Sequence, residues 1–117
     1  MINPLSSNLS ALRAFGKKME VTSNNVANVN TEEFKKSRAV LKEGYNGGVE
    51  VEISRVDTPG PRVVERSEGQ WVEREMSNVE LEEEVTQAIM TRRCYEANLD
   101  AAKTEDEMLG TLIDILS

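Results

Sequence analysis

Histidine is absent from the sequence, so the residue most used for acid–base chemistry near neutral pH is missing. Metal sites built on imidazole are excluded for the same reason. The carboxylates that remain are scattered along the chain and form no pattern typical of a catalytic pair. We therefore expect a protein that is not an enzyme, with no catalytic residue, no metal site and no cofactor.

Cysteine is nearly absent, since Cys94 stands alone. A single thiol cannot form an internal disulfide, so the sequence leaves the redox compartment open. No histidine exists to activate this thiol as a nucleophile. We interpret Cys94 as a small apolar residue buried against a helix.

Long apolar runs are missing as well, and no stretch reaches the roughly 18 apolar residues of a membrane-spanning helix. Arg13, Lys17 and Lys18 interrupt the apolar stretch near the N-terminus, which lacks the continuous core of a secretory signal. We expect no membrane insertion and, if the protein is exported, a route without a cleaved Sec signal. Aromatic residues make up 4% and charged residues 30%, which favours long exposed helices over a thick core.

The net charge of −7 argues against binding to nucleic acid or to an anionic membrane surface. Three consecutive acidic residues occupy positions 82–84. This run allows a cation site or an acid–base pair, but the helix dipole favours negative charge in a first helical turn. We interpret the run as a solvated first turn.

The strongest pattern runs from Ser77 to Ser117. Apolar or small residues recur at alternating steps of four and three, interrupted only by Arg92 and Asp106. This is the heptad spacing that keeps one stripe of a helix against a partner helix. Ser77 and Glu80 form a capping-box pattern that predicts the helix start. A helix this long cannot bury a narrow stripe on itself, so the partner comes from this chain or from another. The predicted seam consists of Leu81, Val85, Ala88, Tyr95, Leu99, Ala102, Leu109, Ile113 and Leu116.

A first helix is predicted from about Pro4 to about Ala27, opened by Asn3 as N-cap and Pro4 at the first helical position. Its seam has the same rhythm and comprises Leu5, Leu9, Leu12, Met19 and Val26. A cluster of asparagines follows, which is typical of a helix end and equally open to a role in subunit contact. The cluster contains Asn24, Asn25, Asn28 and Asn30, and Phe34 is expected to anchor the segment after it.

The middle of the chain has the alternation of short strands. Strands are predicted over 38–42, 49–54, 62–66 and 71–72, with turns at 44–48, 57–61 and 67–70. Val49, Val51 and Ile53 alternate with polar residues, which indicates one wet face. We expect the strand at 62–66 to pair back on the preceding strand, Trp71 to cover one face, and the sheet to pack on the helices because so few strands are marginally stable alone.

Two stretches resemble one family. Residues 23–31, followed by Phe34 and Lys35, resemble the N-terminal signature of flagellar rod, hook and hook-associated proteins, Asn-Asn-(Ile/Leu)-Ala-Asn-x-(Asn/Ser)-Thr-x-Gly-(Phe/Tyr)-Lys. Residues 77–84, 93–98 and 103–112 are similar to the C-terminal signature of that family. The run through Ile115 is closest to the type called proximal rod protein C. The chain departs from the pattern in having Glu32 and Glu33 where the family has Pro-Gly, a short middle, and no histidine.

The resemblance and the two seams together imply a mainly α fold. We expect an antiparallel two-helix coiled coil built from residues 1–36 and 77–117, with a small β module over 37–76. The longer second seam should leave apolar surface free near one end for a neighbouring subunit. We expect assembly contacts at both seams, at the four asparagines and at Phe34.

The family's function sets the remaining expectations. The resemblance implies a structural subunit of the periplasmic rod in the flagellar basal body, which assembles into an axial tube that transmits torque. It implies export by the flagellar type III apparatus, and partners among other rod proteins and copies of the chain, with a homo-oligomer expected in a crystal. The short middle and the lost Pro-Gly leave open a non-polymeric adaptor or regulator derived from the rod fold.

Overall fold

The computed structural model describes residues 4–45 and 47–117, an elongated molecule of 83 × 24 × 17 Å of which about half is helical. The predicted N-cap at Asn3 and the position Asn46 in the predicted turn lie outside the described residues. The predicted bounds of the first helix are confirmed. In chain order the elements are α1 (Pro4–Ala27), β1 (Ser37–Glu43), β2 (Val49–Arg55), β3 (Arg62–Ser67), β4 (Gln70–Glu75) and α2 (Leu81–Leu116).

Two local predictions for α2 are wrong. The helix begins four residues after Ser77, and no side chain of the described residues caps it at Glu80. The hydroxyl of Ser77 instead accepts a hydrogen bond from the Val79 amide at 3.2 Å, a short side-chain turn that competes with the capping box. Cys94 is exposed on α2 rather than buried.

The two helices lie against each other in opposite directions. Thr22 and Asn25, near the end of α1, line one small cavity with Glu84 and Gln87, near the start of α2. Buried and half-buried positions then continue toward the start of α1 and along α2 as far as Glu105. With 36 residues against 24, α2 is longer by about 18 Å at 1.5 Å per residue. The last part of α2 therefore extends past the described part of α1.

The first hairpin, β1–β2, packs on α1. Pairing of Leu41 with Val51 and of Ala39 with Ile53 puts apolar residues on one face, and Ala39 is buried. The hydroxyl of Ser10 on α1 donates to the Val49 carbonyl at 2.9 Å and accepts from the Val49 amide at 2.8 Å. The predicted strand with one wet face is confirmed here.

The second hairpin differs from the prediction, because β3 pairs with β4 and not with β2. Glu68 and Gly69 form its two-residue turn with positive φ angles of 51° and 78°, as in a type I′ turn. Paired residues share a face, so Val64 lies beside Glu73 and each face mixes apolar with charged side chains. Without a continuous apolar face, the hairpin packs on neither helix in the described part of the chain.

Trp71 was expected to cover one face of the sheet, but it lies on this second hairpin and is 71% exposed. The Arg66 guanidinium lies 6.0 Å from the centre of its ring. The base of the hairpin is tighter, because a Cβ at Gly60 would lie 2.0 Å from the Met76 carbonyl oxygen. Only glycine fits at that close approach.

Asn78 joins three segments at the start of α2. Its side-chain oxygen accepts from the Lys36 amide at 2.7 Å, and its side-chain nitrogen donates to the carbonyls of Val56 at 2.8 Å and Thr58 at 2.9 Å. Asn78 is 8% exposed, so these bonds are shielded from water. The residue thereby ties α2 to the strand entry before β1 and to the loop after β2.

Asn25 holds the end of α1 in the same way. Its amide nitrogen donates to the Ser37 carbonyl at 2.9 Å, and its oxygen accepts from the Ser37 amide at 3.0 Å. At 1% exposure it is one of the most deeply buried residues described. Together with Ser10, it fixes the rotation of α1 relative to β1–β2.

Asn78→Ala should lower the free energy of unfolding by about 2–4 kcal/mol, because it leaves one buried amide and two carbonyls without their partner. Urea unfolding followed by circular dichroism measures the change. Asn30→Ala, at an exposed asparagine, is the control and should change stability by no more than about 0.5 kcal/mol. Equal effects of the two substitutions would contradict the role assigned to Asn78.

Glu33 has a φ of 59°, a left-handed conformation at the position where the family pattern has glycine. A side chain in this conformation destabilises the folded state by about 1 kcal/mol, and glycine avoids this strain. Glycine also loses more conformational entropy on folding, which offsets part of that gain. Glu33→Gly should therefore raise the free energy of unfolding by about 0.5 kcal/mol. Glu32→Gly, where φ is not positive, should lower it, and thermal unfolding of both variants checks the opposite signs.

Candidate subunit interface

The face of α2 that meets α1 is polar and small. We call it the inner face; Glu84 and Thr91 on it are almost completely buried, at 1% and 2% exposure, and Ala88, Asn98 and Ala102 are half-buried. On α1, the buried residues are Ala11, Ala14, Thr22 and Asn25. The contact between the helices therefore buries few large apolar side chains.

The intrachain contact does not follow the predicted seam. Glu84 and Asn98 on the inner face each precede a seam residue, Val85 and Leu99, by one residue, which corresponds to a rotation of about 100° around the helix. Val85 and Leu99 consequently lie beside the contact, 47% and 50% exposed. Only Ala88 and Ala102 belong to both the seam and the inner face. The rotation follows from the bonds of Ser10, Asn25 and Asn78, which fix the helices irrespective of their apolar match.

Glu84 also contradicts the expectation of a solvated acidic turn. Its Oε1 is 3.7 Å from Nη1 of Arg38 and makes no hydrogen bond to a described residue. The Thr91 hydroxyl likewise has no hydrogen bond within the part of the chain that the structure describes. Buried polar groups without full partners destabilise a contact. The inner face alone therefore stabilises the contact between the helices only weakly.

Several apolar side chains of α1 remain accessible in the single chain. We call Leu5, Leu9 and Leu12 the α1 stripe. Leu5 and Leu9 are 40% and 46% exposed, and Leu12 is half-buried. Farther along the predicted seam, Met19 is half-buried and Val26 is exposed. The seam predicted for α1 is thus largely accessible in the single chain.

The end of α2 is more apolar and more exposed, since every residue from Asp106 to Ser117 is exposed. Leu112 continues the heptad line of Glu84, Thr91, Asn98 and Glu105, so the face that is polar beneath α1 becomes leucine-rich beyond it. The expectation of surplus apolar surface near one end of the long helix agrees with this exposure. The surface, which we call the distal stripe, consists of Leu109, Leu112, Ile113 and Leu116.

Exposure extends to the rest of the predicted α2 seam. Leu81 is 47% exposed and Tyr95 is 40% exposed, and both lie on the part of α2 that runs beside α1. Exposed apolar residues at this spacing are candidates for contact with another protein. The helices together present two such surfaces, one on each.

The asparagine cluster has roles inside the chain. Asn28 donates to the Asn24 carbonyl at 2.8 Å and accepts from the Thr31 hydroxyl at 3.0 Å, which ends α1. Phe34 is half-buried, its amide bonded to Thr31 and its carbonyl to the Asn78 amide at 3.3 Å. The side chain of Asn25 is enclosed, whereas Asn30 is exposed. A role of these residues in subunit contact stays a prediction.

Two cations of the middle segment meet the start of α2. The Lys36 ammonium lies 3.1 Å from one carboxylate oxygen of Glu83, and the Arg38 guanidinium lies 2.6 Å from the other. The hydrogen bond from Lys36, with that from Arg38, lowers the pKa of Glu83 below its usual range. Hydrogen bonds from Lys35 and from the Gly60 amide lower the pKa of Glu75 in the same direction. The bonds of Glu83 join β1 and the residue before it to α2, and those of Glu75 join β4 to the loops at Lys35 and Gly60.

The lowered pKa of Glu83 predicts a loss of stability in acid. A carboxyl group with a folded pKa below its unfolded value stabilises the fold above the unfolded pKa, and this contribution disappears as the pH falls through the folded value. Urea midpoints measured as the pH falls from about 5 toward 3 should decline less steeply for Glu83→Gln than for the parent. Glu50→Gln, on the wet face of β2, is the control and should keep the parental slope. A Glu83→Gln variant with the parental slope would contradict the pairing.

Residues 4–45 and 47–117 contain no helix long and apolar enough to cross a membrane. The same residues contain no cluster of acidic or cysteine side chains arranged to hold a metal ion.

Comparison with known families agrees with both ends of the chain. The family described as flagella basal body rod protein matches residues 5–35, which contain the α1 stripe and the asparagine cluster. The family described as flagellar basal body rod FlgEFG protein C-terminal matches residues 74–115, which contain Asn78 and most of α2. A search of curated proteins gave no match.

Both matched families are structural proteins of the basal body rather than enzymes. They cover the two helices and leave the strands between them outside the match, in the order that the terminal signatures indicate. Both ends of the chain are therefore similar to flagellar basal body rod proteins, families with a structural role in the flagellum.

Proposed function

We propose that the chain is a rod subunit that assembles through the exposed apolar positions of α1 and α2 into the axial tube that transmits torque. The observation that carries this proposal is the orientation of the helices. They contact each other through small and polar residues, and present leucines at 40–50% exposure along their outer sides. A protein that remained single would bury those leucines inward.

The energetics favour an assembly with many neighbours. Complete burial of a leucine stabilises by about 1.5–3 kcal/mol, so side chains already half-covered retain roughly 1 kcal/mol each. A contact of three or four such residues is weak for one pair of chains. Several contacts per subunit, closed together in a tube, reinforce one another. Subunits of this kind stay apart during export and associate at the growing structure.

The finer parts of the proposal follow from the resemblance. Residues 1–36 and 77–117 form the axial domain, in which the helices coil with each other and with their neighbours, and residues 37–76 form a β module outside it. The subunit reaches the periplasm through the type III apparatus, without a cleaved signal. The run through Ile115 supports the type of proximal rod protein C, although the chain lacks the histidine of that type.

Leu99→Glu tests the assembly. The side chain is half exposed in the single chain, so the variant should fold, but burial of its charge in a subunit contact should reduce the amount in purified basal bodies about tenfold or more. Thr104→Glu introduces the same charge at an exposed position outside the seam and is the control. Quantitative immunoblots of basal bodies, with swimming assays, measure the effect in cells that carry each variant as the sole copy.

Parental incorporation and swimming with Leu99→Glu would contradict assembly through this surface. Circular dichroism of each purified variant separates loss of incorporation from loss of folding. A Thr104→Glu chain that also fails to incorporate would show that charge anywhere on α2, and not at the stripe, blocks assembly.

The alternative function is a non-polymeric adaptor or regulator derived from the rod fold. The short middle segment favours this alternative. The second argument for it, the absence of the family's Pro-Gly, is weaker in view of the backbone at Glu33. Glu33 keeps the left-handed turn that glycine has in the family pattern. Fractionation of a tagged chain separates the functions, since an adaptor gives a cytosolic pool without a basal-body fraction.

A further inference from the structure

We propose that the distal stripe of one copy binds antiparallel to the α1 stripe of a second copy, with Ile113 opposite Leu9. This inference rests on the proposed rod function and names the two surfaces that meet. Its occupant is a second copy of this chain, because the two stripes of one molecule match each other in charge, spacing and exposure.

The charges of the two surfaces are opposite. From Pro4 to Met19 the charged residues are Arg13, Lys17 and Lys18, all cationic. From Glu105 to Leu116 the charged residues are Glu105, Asp106, Glu107 and Asp114, all anionic. Arg13 and Lys17 are exposed beside the α1 stripe, and Asp106 is exposed at the start of the distal segment. The complementary charges favour contact between unlike surfaces of two copies.

The charges also decide the direction. With Leu9 opposite Ile113, an antiparallel arrangement places Leu12 at the level of Leu109 and brings Asp106 to the level of Arg13 and Lys17. A parallel arrangement with the same central pair would carry Asp106 away from both cations. Opposite charges at these levels therefore favour the antiparallel pair.

The surface around Leu9 is concave. An open groove of about 540 Å³ lies between α1 and β2, and Leu9, Arg13, Val49 and Val51 line it. It combines apolar walls with one cationic side chain. The distal stripe has the complementary composition, with leucine and isoleucine beside carboxylates. A second copy seated along the α1 stripe would also cover this groove.

The two stripes cannot meet within one chain in the described conformation. Coverage of α2 by α1 ends near Glu105, so Ile113 lies about 12 Å beyond it, and Leu9 lies about 8 Å from Pro4 in the other direction. The contact is therefore between unlike surfaces of different copies. A contact between unlike surfaces can repeat from copy to copy, which a growing axial structure requires.

Cysteine pairing tests the contact in basal bodies. Leu9→Cys and Ile113→Cys are placed in separate chains that carry Cys94→Ala, and both chains are produced in the same cells. A disulfide requires Cα atoms within about 7 Å, so oxidation should link the two chains into a dimer in isolated basal bodies. Thr86→Cys, exposed on α2 but far from the distal stripe, replaces Ile113→Cys in the control and should give no dimer.

The outcomes separate this inference from the proposed function. Chains present in basal bodies without the Leu9–Ile113 crosslink would overturn the inference and leave the rod function standing. Absence of the unmodified chain from basal bodies would overturn the rod function, and with it the inference. A dimer equally strong with Thr86→Cys would show unselective collision and would overturn the inference.

A charge exchange gives an independent readout. Arg13→Asp or Asp106→Arg alone should reduce incorporation roughly threefold to tenfold, as expected for a pair converted from attraction to repulsion. The double variant should recover most of that loss. Lys42→Asp, on the wet face of β1, is the control for charge reversal and should incorporate like the parent. Failure of the double variant to exceed both single variants would contradict the proposed alignment.

Discussion

Two buried asparagines hold the helices in the orientation that leaves their leucines exposed. Asn25 holds the end of α1 to β1, and Asn78 holds the start of α2 to the segments on either side of the first hairpin. Because each uses both ends of its amide, each fixes an orientation as well as a position. The helices are thereby rotated so that their small and polar residues face each other. The leucines remain outside because the hydrogen bonds, and not apolar matching, set that rotation.

This arrangement reconciles folding with assembly. A helix pair joined through its leucines would be more stable alone, but it would have less exposed apolar surface for contact with another chain. A pair joined through alanine, threonine and a buried carboxylate is weaker, and its first hairpin and ion pairs compensate at one end. The far end of α2 has no such support within the described chain. In the proposed assembly, neighbouring subunits would stabilise this part of the helix.

Local patterns predicted most of the elements. The bounds of α1, the strands β1 and β2, and the two-residue turn at Glu68 follow from spacing and turn chemistry close in sequence. The pairing of β3 with β4 was missed because either strand order satisfies the same local pattern. The position of Trp71 was missed because a large aromatic residue predicts burial only where a continuous apolar face exists to receive it.

The apolar positions of α2 were predicted from the sequence, but the side of the helix that α1 covers was not. The heptad spacing identified Leu99, Leu109 and their neighbours correctly as apolar positions of one helix. The spacing could not reveal that the face of α2 covered by α1 is rotated by about one residue from these positions. That rotation depends on long-range hydrogen bonds of Asn78 and Ser10. Glu84 was misread for a related reason, because an acidic residue in a first turn has the same sequence signal whether solvated or covered. A single asparagine before a helix likewise has the same sequence signal whether it caps that helix or bonds to the backbone of distant segments.

The rotation of the helices is the central claim, and cysteine alkylation measures it most directly. Leu99→Cys and Thr91→Cys, each in the Cys94→Ala chain, place a thiol on the outer and inner sides of α2. In the free subunit, the thiol at 99 should react at nearly the rate of an unstructured peptide and the thiol at 91 at least about tenfold more slowly, whereas in basal bodies both should be protected. Equal protection of the two positions in the free subunit would contradict the account.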